Sequence, residues 1–453
     1  MERNLTTGSP IKLLAAFALP VFLGNIFQIV YNLVDMAIVG RFVSVDALAA
    51  VGAVGSIMFC INGIVTGFCT GFGILIARYF GAGDEPEMKR YTAMSIGLCV
   101  LIGVVITIAG CACLNPLFHL MKMPSDIYTD AYNYLFIILI GSIASLGYNM
   151  LACLLRAIGD SRTPLAFLVF SSALNILLDL AAVLLLHMGV IGVALATVTA
   201  QLVSAILCWV YIRRRYQVLS IEKQYRRVSG VVIKNLMIMG VPMALQFSVC
   251  SIGIMIVQTA MNEMGAVIVA GYAVAGKLAG FAEQPFVSVG TAVANYVGQN
   301  YGAGEYKRIH QGVGAAIILS MVLVIAEFIL SMTVIGPATA IFVGSEATEV
   351  IAVSVEYFRL IAWFYVPLSL VFVYRNALQG IGDALVPMLG SVAEVVARFG
   401  VIAVVGTTYG FIGAALANPI AWIAALLPLI PVFYYRMRKC VKFFQANSRV
   451  STL

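Results

Sequence analysis

Charge is what this sequence has least of. Asp, Glu, Lys and Arg make up 10% of its 453 residues, where a soluble domain carries about 25%. Such a chain has no means of covering itself with a polar surface, so a separate soluble domain is excluded. Histidine is scarcer still. The three present, His119, His187 and His310, fall in or near predicted loops, and no His-Glu metal helix of an intramembrane enzyme is visible. Nine cysteines form no zinc spacing and no disulfide framework. Most lie inside apolar runs and read as small hydrophobes. A phosphate-cradling loop is missing as well: Gly81-Ala82-Gly83 and Gly302-Ala303-Gly304 lack the Lys and Ser or Thr that such a loop needs directly after its glycines. They read as tight turns at helix ends. With no nucleotide site and no cofactor expected, any active transport is driven by an ion gradient or by a partner.

What the sequence has is apolar length. Hydrophobic residues make up 62% and the mean hydropathy is +1.01. Twelve apolar segments can be counted, at about 13–39, 47–77, 92–114, 130–155, 164–186, 190–211, 235–261, 267–298, 311–335, 353–378, 386–406 and 410–435. Each is long enough to span a bilayer as a helix. They are continuous rather than alternating, which argues against a membrane barrel. The first segment is longer than a signal-peptide core and is followed by no small-residue cleavage pattern, so it reads as a spanning helix.

The net charge of +7 has a membrane explanation, and nucleic acid is not an expected partner. With the N-terminus placed inside, 21 of the 27 Lys and Arg fall in cytoplasmic segments and three, Arg41, Lys122 and Arg359, fall outside. The positive-inside rule therefore predicts both termini in the cytoplasm, in a multi-pass protein of the bacterial cytoplasmic membrane surrounded by lipid. The longest basic stretch, Arg213 to Lys234, reads as a linker. Residues 1–212 are expected to form an N-terminal six-helix bundle, 213–234 the linker, 235–440 a C-terminal bundle and 441–453 a cytoplasmic tail.

The halves repeat each other. Ala18-Leu19-Pro20 returns as Gly240-Val241-Pro242, and Phe80-Gly81-Ala82-Gly83 as Tyr301-Gly302-Ala303-Gly304. Ile158-Gly159-Asp160 with Pro164 returns as Ile381-Gly382-Asp383 with Pro387, and the stretch 189–196 as 410–417. The offsets are 222, 221, 223 and 221. Six helices, an even number, separate the equivalents, so the repeats are parallel, and two such bundles suit alternating access.

These residues resemble the multidrug and toxic compound extrusion (MATE) family, with its DinF-like branch the nearest. The stretch carrying most of the likeness is Pro20, Gln28-Ile29-Val30-Tyr31-Asn32-Leu33-Val34-Asp35, Val39-Gly40 and Ala47-Leu48-Ala49-Ala50-Val51-Gly52. The Gly81-Ala82-Gly83 turn, the Gly159-Asp160 turn and Asn175-Ile176-Leu177-Leu178-Asp179 are similar to that family too, and the likeness covers essentially the whole chain. It implies an all-α integral membrane fold of twelve helices, in two parallel six-helix repeats forming a V-shaped pair of bundles. It implies secondary antiport of organic cations or other amphipathic drugs against H⁺ or Na⁺, by a protein that works as a monomer. The alternative is a flippase for a lipid-linked sugar or related lipid.

Buried carboxyls are costly in a bilayer unless they face protein or water, so Asp35 and Asp179 are informative. Asn25, Gln28, Asn32 and Asp35 share one face of the first helix, predicted to point into the bundle, and Asn175 and Asp179 share a face of the fifth. At 1.5 Å per residue, Asp35 and Asp179 lie roughly 8 and 12 Å from the outer ends of their helices. Thr197 reaches a similar level on the sixth. Two carboxyls sharing a low-dielectric site do not both stay ionised, so one can load a proton from outside. Carboxylates with Asn and Thr oxygens also suit Na⁺, leaving Asp35 and Asp179 as the place for a bound metal if there is one. The resemblance implies that Asp35, Asp179, Asn175 and Thr197 are a cation-coupling network. Asn175 and Thr197 alone read equally as helix-packing hydrogen bonds.

The second half does not duplicate the acids: Val257 stands at the mate of Asp35. Glu283, before Pro285, is a candidate second coupling site. Glu394 and Arg398, four residues apart, read as an internal ion pair, and Lys277 and Arg375 need partners that the sequence does not name. Gln28, Asn32, Asn62 and Thr66 are the candidates for contact with a small-molecule cargo.

Overall fold

The computed structural model describes residues 4–450, with the side chains of Arg226, Thr407 and 441–450 outside the described set. Arg3 and residues 451–453 of the expected tail lie outside the described residues. The described chain is helical throughout. In order the helices are α1 (Pro10–Ile38), α2 (Val45–Ala53), α3 (Gly55–Ala82), α4 (Glu85–Leu120), α5 (Ser125–Ile140), α6 (Ser142–Ala157), α7 (Arg162–Leu180), α8 (Gly189–Arg215) and α9 (Gly230–Asn262). There follow α10 (Ala266–Ala282), α11 (Gln284–Gly302), α12 (Tyr306–Thr333), α13 (Ile335–Val343), α14 (Thr348–Ala362), α15 (Tyr365–Gly380), α16 (Leu385–Val401), α17 (Thr407–Ala415) and α18 (Ala417–Val450).

Among the described residues ten spans are long and apolar enough to cross a membrane, and twelve if α5 with α6 and α14 with α15 each make one broken span. Those two pairs bend by 48° and 59°. Three further apolar segments are also interrupted, one of them, 410–435, at Leu416 between α17 and α18. The segment at 47–77 begins as a separate short helix, α2, started by Ser44, whose hydroxyl accepts from the Ala47 N–H at 2.9 Å. The segment at 267–298 is divided at Glu283 into α10 and α11.

The described chain divides into two compact units: unit 1 holds residues 4 and 23–244, unit 2 holds 5–22 and 245–450. The two boundaries inside helices fall two residues after the repeated prolines, Pro20 in α1 and Pro242 in α9. A proline inside a helix removes one backbone hydrogen bond and bends the axis, so each helix can give its first part to one unit and the remainder to the other. In unit 1 the first part of α9 is held by close backbone approach. A Cβ on Gly67 would meet the Ala244 backbone at 2.5 Å, and one on Gly71 the Gly240 Cα at 3.0 Å. Small residues permit such contact where lipid supplies no hydrophobic drive between helices. In unit 2, Leu14, Phe17, Ala18 and Val21 are buried in the core that also holds Val289, Val293 and Tyr296.

The repeated turns do repeated work. Gly83 ends α3 with φ +69°, the left-handed cap expected there, and Gly304 has φ +73°. Gly159 and Gly382, at φ +83° and +92°, turn the chain so that the following Asp caps the next helix. Asp160 Oδ1 accepts from the Arg162 and Thr163 N–H groups, both at 3.0 Å. Its Oδ2 accepts from the Thr163 hydroxyl at 2.6 Å and the Tyr216 hydroxyl at 2.5 Å. Asp383 repeats the design, accepting from the Val386 N–H at 3.2 Å and Arg436 Nε at 3.0 Å. The segment from Tyr216 is ordered: Leu219 is buried, and Glu222 pairs with Lys89 at 3.1 Å.

Candidate functional site

Unit 1 brings Asp35, Asp179, Asn175 and Thr197 together. Asp35 and Asp179 are buried within electrostatic reach of each other. Asn175 links the acids to α8. With its amide nitrogen facing the oxygens, it donates to Asp179 Oδ2 and to Tyr31 Oη, each at 3.2 Å, and accepts from the Thr197 N–H at 3.2 Å. The Thr197 hydroxyl donates to the Val193 carbonyl at 3.1 Å, which fixes its rotamer one turn back along its own helix. Asp179 is fully buried, Asn175 is 2% exposed and Asp35 8%.

One oxygen of each acid, Asp35 Oδ1 and Asp179 Oδ1, is buried without a hydrogen-bond partner. Buried acceptors are normally satisfied, so this pair has free capacity for a proton or a small cation. The two free carboxyl oxygens are hard ligands that suit either one, while Asn175, its nitrogen toward the acids, orients Asp179 by a hydrogen bond. Among the described residues no group of three or more His, Cys, Asp or Glu gathers into a transition-metal site.

Two features were missed by sequence reasoning. Tyr31 lies one turn before Asp35 on the same face, and Tyr134 of α5 is buried within electrostatic reach of both acids. The i, i+4 spacing of Tyr31 and Asp35 would have found the first. The other feature is backbone. The helix widens to π form at Val39–Val43, just beyond Asp35, and at Ala181–Leu185, immediately after Asp179. Such π stretches recur at functional sites because they loosen the regular ladder and redirect side chains. No single-residue signal in the sequence marks them.

The predicted polar face of α1 does not point inward as a whole. Gln28 and Asn32 are exposed and Asn25 is half-buried, while Asp35 is buried. The four residues cover some 80° of arc at about 100° per residue, and the buried edge of that arc runs through Asp35. Asn62 and Thr66 are also exposed, while their neighbours Gly63 and Gly67 are buried.

In unit 2, Glu394 and Arg398 do form an ion pair, at 3.5 Å, and the missing partner of Arg375 is Glu394 as well. Glu283 ends α10 and is half-buried, within electrostatic reach of Arg398. Lys277 is exposed on α10.

The chain is 27% identical over 445 residues, 94% of each sequence, to the probable multidrug resistance protein YoeA of Bacillus subtilis (strain 168). It is likewise 27% identical over 452 residues to the probable multidrug resistance protein YpnP of the same organism, covering 97% of this chain and 98% of YpnP. Its fold is similar, at a TM-score of 0.90 and 24% identity, to a MOP superfamily transporter from Pyrococcus furiosus, over 96% of this chain and 98% of that one. The MatE family matches residues 20–181 and 242–404, one block within each half of the repeat. With both halves matched and a multi-span helical fold around them, the chain belongs to the MatE family of membrane transporters and is not an enzyme.

Proposed function

We propose that this protein is a secondary antiporter that exports amphipathic or cationic small molecules by alternating access, coupled to H⁺ or Na⁺ at Asp35, Asp179, Asn175 and Thr197. The observation that carries this reading is the buried Asp35–Asp179 pair with one unpartnered oxygen on each acid. A nonfunctional acid pair at membrane depth is expensive, and a site that exchanges a cation accounts for it. The named relatives, probable multidrug resistance proteins and multidrug export proteins, support a drug-like cargo. Location of the acids in the first half supports the DinF-like placement. Gln28, Asn32, Asn62 and Thr66 are proposed to meet the cargo, because all four are exposed polar groups on spanning helices of unit 1. Both termini are assigned to the cytoplasm on the Lys and Arg bias, and one copy suffices for transport. Glu283 is the proposed second coupling site, because it is an acid at a helix break inside a span.

Reconstitution in liposomes tests this. Efflux of a fluorescent cationic dye is followed under an imposed pH gradient, then under an imposed Na⁺ gradient, for the wild type and Asp35→Asn. Transport that follows one gradient and disappears in Asp35→Asn supports the coupling site and names the ion. Equal transport by both proteins moves the site elsewhere, with Glu283 next. If neither gradient moves dye and a lipid-linked sugar is translocated instead, a flippase replaces the antiporter.

A further inference from the structure

Unit 2 holds a second buried polar cluster where the repeat puts the counterpart of the Asp35 site. Offsets of 221 to 223 carry Asn175 to Arg398, Thr197 to Asn418, Tyr134 to Tyr357, Tyr31 to Gly253 and Asp35 to Val257. The contacts correspond too. Asn175 lies 3.4 Å from the Thr197 hydroxyl, and Arg398 Nε donates to Asn418 Oδ1 at 2.9 Å. Asn418 Nδ2 in turn donates to the Tyr357 hydroxyl at 3.1 Å. The π stretch after Asp179 returns as Ile402–Gly406. A Cβ at position 253 would collide with Arg398 Nη1. The bare glycine, where unit 1 carries Tyr31, is what admits the guanidinium.

The charge of the site is reversed. Arg375 and Arg398 share one carboxylate, Glu394, and the three side chains are 5–9% exposed. Two guanidinium groups against one carboxylate leave a net positive charge. Arginine does not relieve it by losing a proton. Arg375 Nε and Arg398 Nη1 are buried with no hydrogen-bond acceptor, Nη1 having only its 3.5 Å ion-pair contact with Glu394 Oε2. Glu283 is close enough to Arg398 to interact through space, yet it hydrogen-bonds to neither arginine among the described residues. A buried cation in excess of its partner, with free N–H groups, is a site short of one negative charge.

We infer that unit 2 binds a small monovalent inorganic anion, chloride being the abundant one, at the free N–H groups of Arg375 and Arg398. A halide accepts from N–H donors, supplies the single missing charge and is small enough for a site within a helix bundle. A divalent oxyanion would overshoot the balance. On this reading the duplicated site is kept in both halves but holds ions of opposite sign.

The test uses the full-length protein in detergent, exchanged from chloride into gluconate at constant pH and ionic strength and then titrated with bromide. The wild type is expected to show a saturable upward Tm shift of roughly 2–5 °C. Bromide-soaked crystals should give an anomalous peak beside Arg398. Arg398→Gln leaves the charge-balanced Arg375–Glu394 pair, so it is expected to fold and to lose the shift, while Glu283→Gln keeps it. Three results would overturn the inference. They are no shift in the wild type, an equal shift in Arg398→Gln, or a shift that appears only in Glu283→Gln, which would make Glu283 the counter-charge. An anomalous peak elsewhere and none at Arg398 would overturn it as well.

Discussion

Tyr216 reaches back from the end of α8 to donate its hydroxyl to Asp160 Oδ2 at 2.5 Å, tying the end of one spanning helix to the cap of another. Burial alone would lift the Asp160 carboxyl, but the Thr163 and Tyr216 hydroxyls and the Thr163 and Arg162 N–H groups outweigh it and hold the group below the usual carboxylate range. The sign of the pH effect follows. A group depressed by folding contributes stability above its unfolded value of about 3.9, and the contribution is lost as pH falls through the lower folded value. Asp160→Asn is therefore expected to cost about 1–3 kcal/mol near neutrality, the worth of a charge-assisted hydrogen bond. The Tm gap between wild type and variant, measured in detergent, should hold constant above about pH 5 and narrow below about pH 4. A gap that does not narrow in acid would remove the charge from the argument.

The acids of unit 1 are expected to act as one unit rather than as two. Asp35 and Asp179 are buried within electrostatic reach of each other, so losing either removes half of a shared site. Each single Asn variant should lower gradient-driven dye efflux roughly tenfold or more, equivalent to about 1.4 kcal/mol. The double variant should do little further damage, because residues of one network are not additive. Asn175→Ala should fall between wild type and Asp35→Asn, since it orients the pair without carrying the ion. Multiplicative losses in the double variant would mean two separate sites.

Much of this was legible because membranes leave few choices. Apolar length located the spans, and paired turns located the repeat. Cost of burial singled out Asp35 and Asp179. Helical phase then brought Asn175 to the Asp179 face and depth brought Thr197 level with it, and the four side chains do meet. What was not legible lies in the backbone and in the partners. The breaks at Ala53–Gly55 and at Glu283 occur inside continuous apolar runs, because hydropathy measures affinity for lipid and not helix continuity. The π stretches are likewise silent. Arg375 had no nameable partner because Glu394 sits on another helix, and sequence spacing speaks only for neighbours on the same one.

Some glycines of the spanning helices must be glycine and others need not be. Gly67 of α3 faces the Ala244 backbone, where an added Cβ would sit 2.5 Å away, and backbone atoms do not yield as a flexible side chain does. Gly67→Ala is expected to lower stability by about 1–3 kcal/mol through overpacking. Gly97 in α4 has open space where a methyl group would sit, with nothing within 4 Å. Gly97→Ala should therefore be neutral or raise stability by up to about 1 kcal/mol from helix propensity alone. Thermal unfolding of the two variants side by side checks the contrast. Equal losses would show that the α3–α9 approach is looser than the backbone distance implies.

Glu394 is the residue whose loss unit 2 should tolerate least. It is 4% exposed and is bonded by both Arg375 and Arg398. Replacing it with Gln strands two buried guanidinium groups that cannot shed their charge. Breaking a buried pair from one side costs about 3–5 kcal/mol, whereas removing the whole charged group for apolar side chains of similar size is often neutral. Glu394→Gln is thus expected to be strongly destabilised. Arg375→Met with Glu394→Leu and Arg398→Met should recover much of the lost Tm. Recovery in the triple variant would show that the cluster exists for its charge and not for its packing. A triple variant as unstable as Glu394→Gln would instead mean that the shapes of the three side chains, and not their ionic balance, hold α15 against α16 and α18.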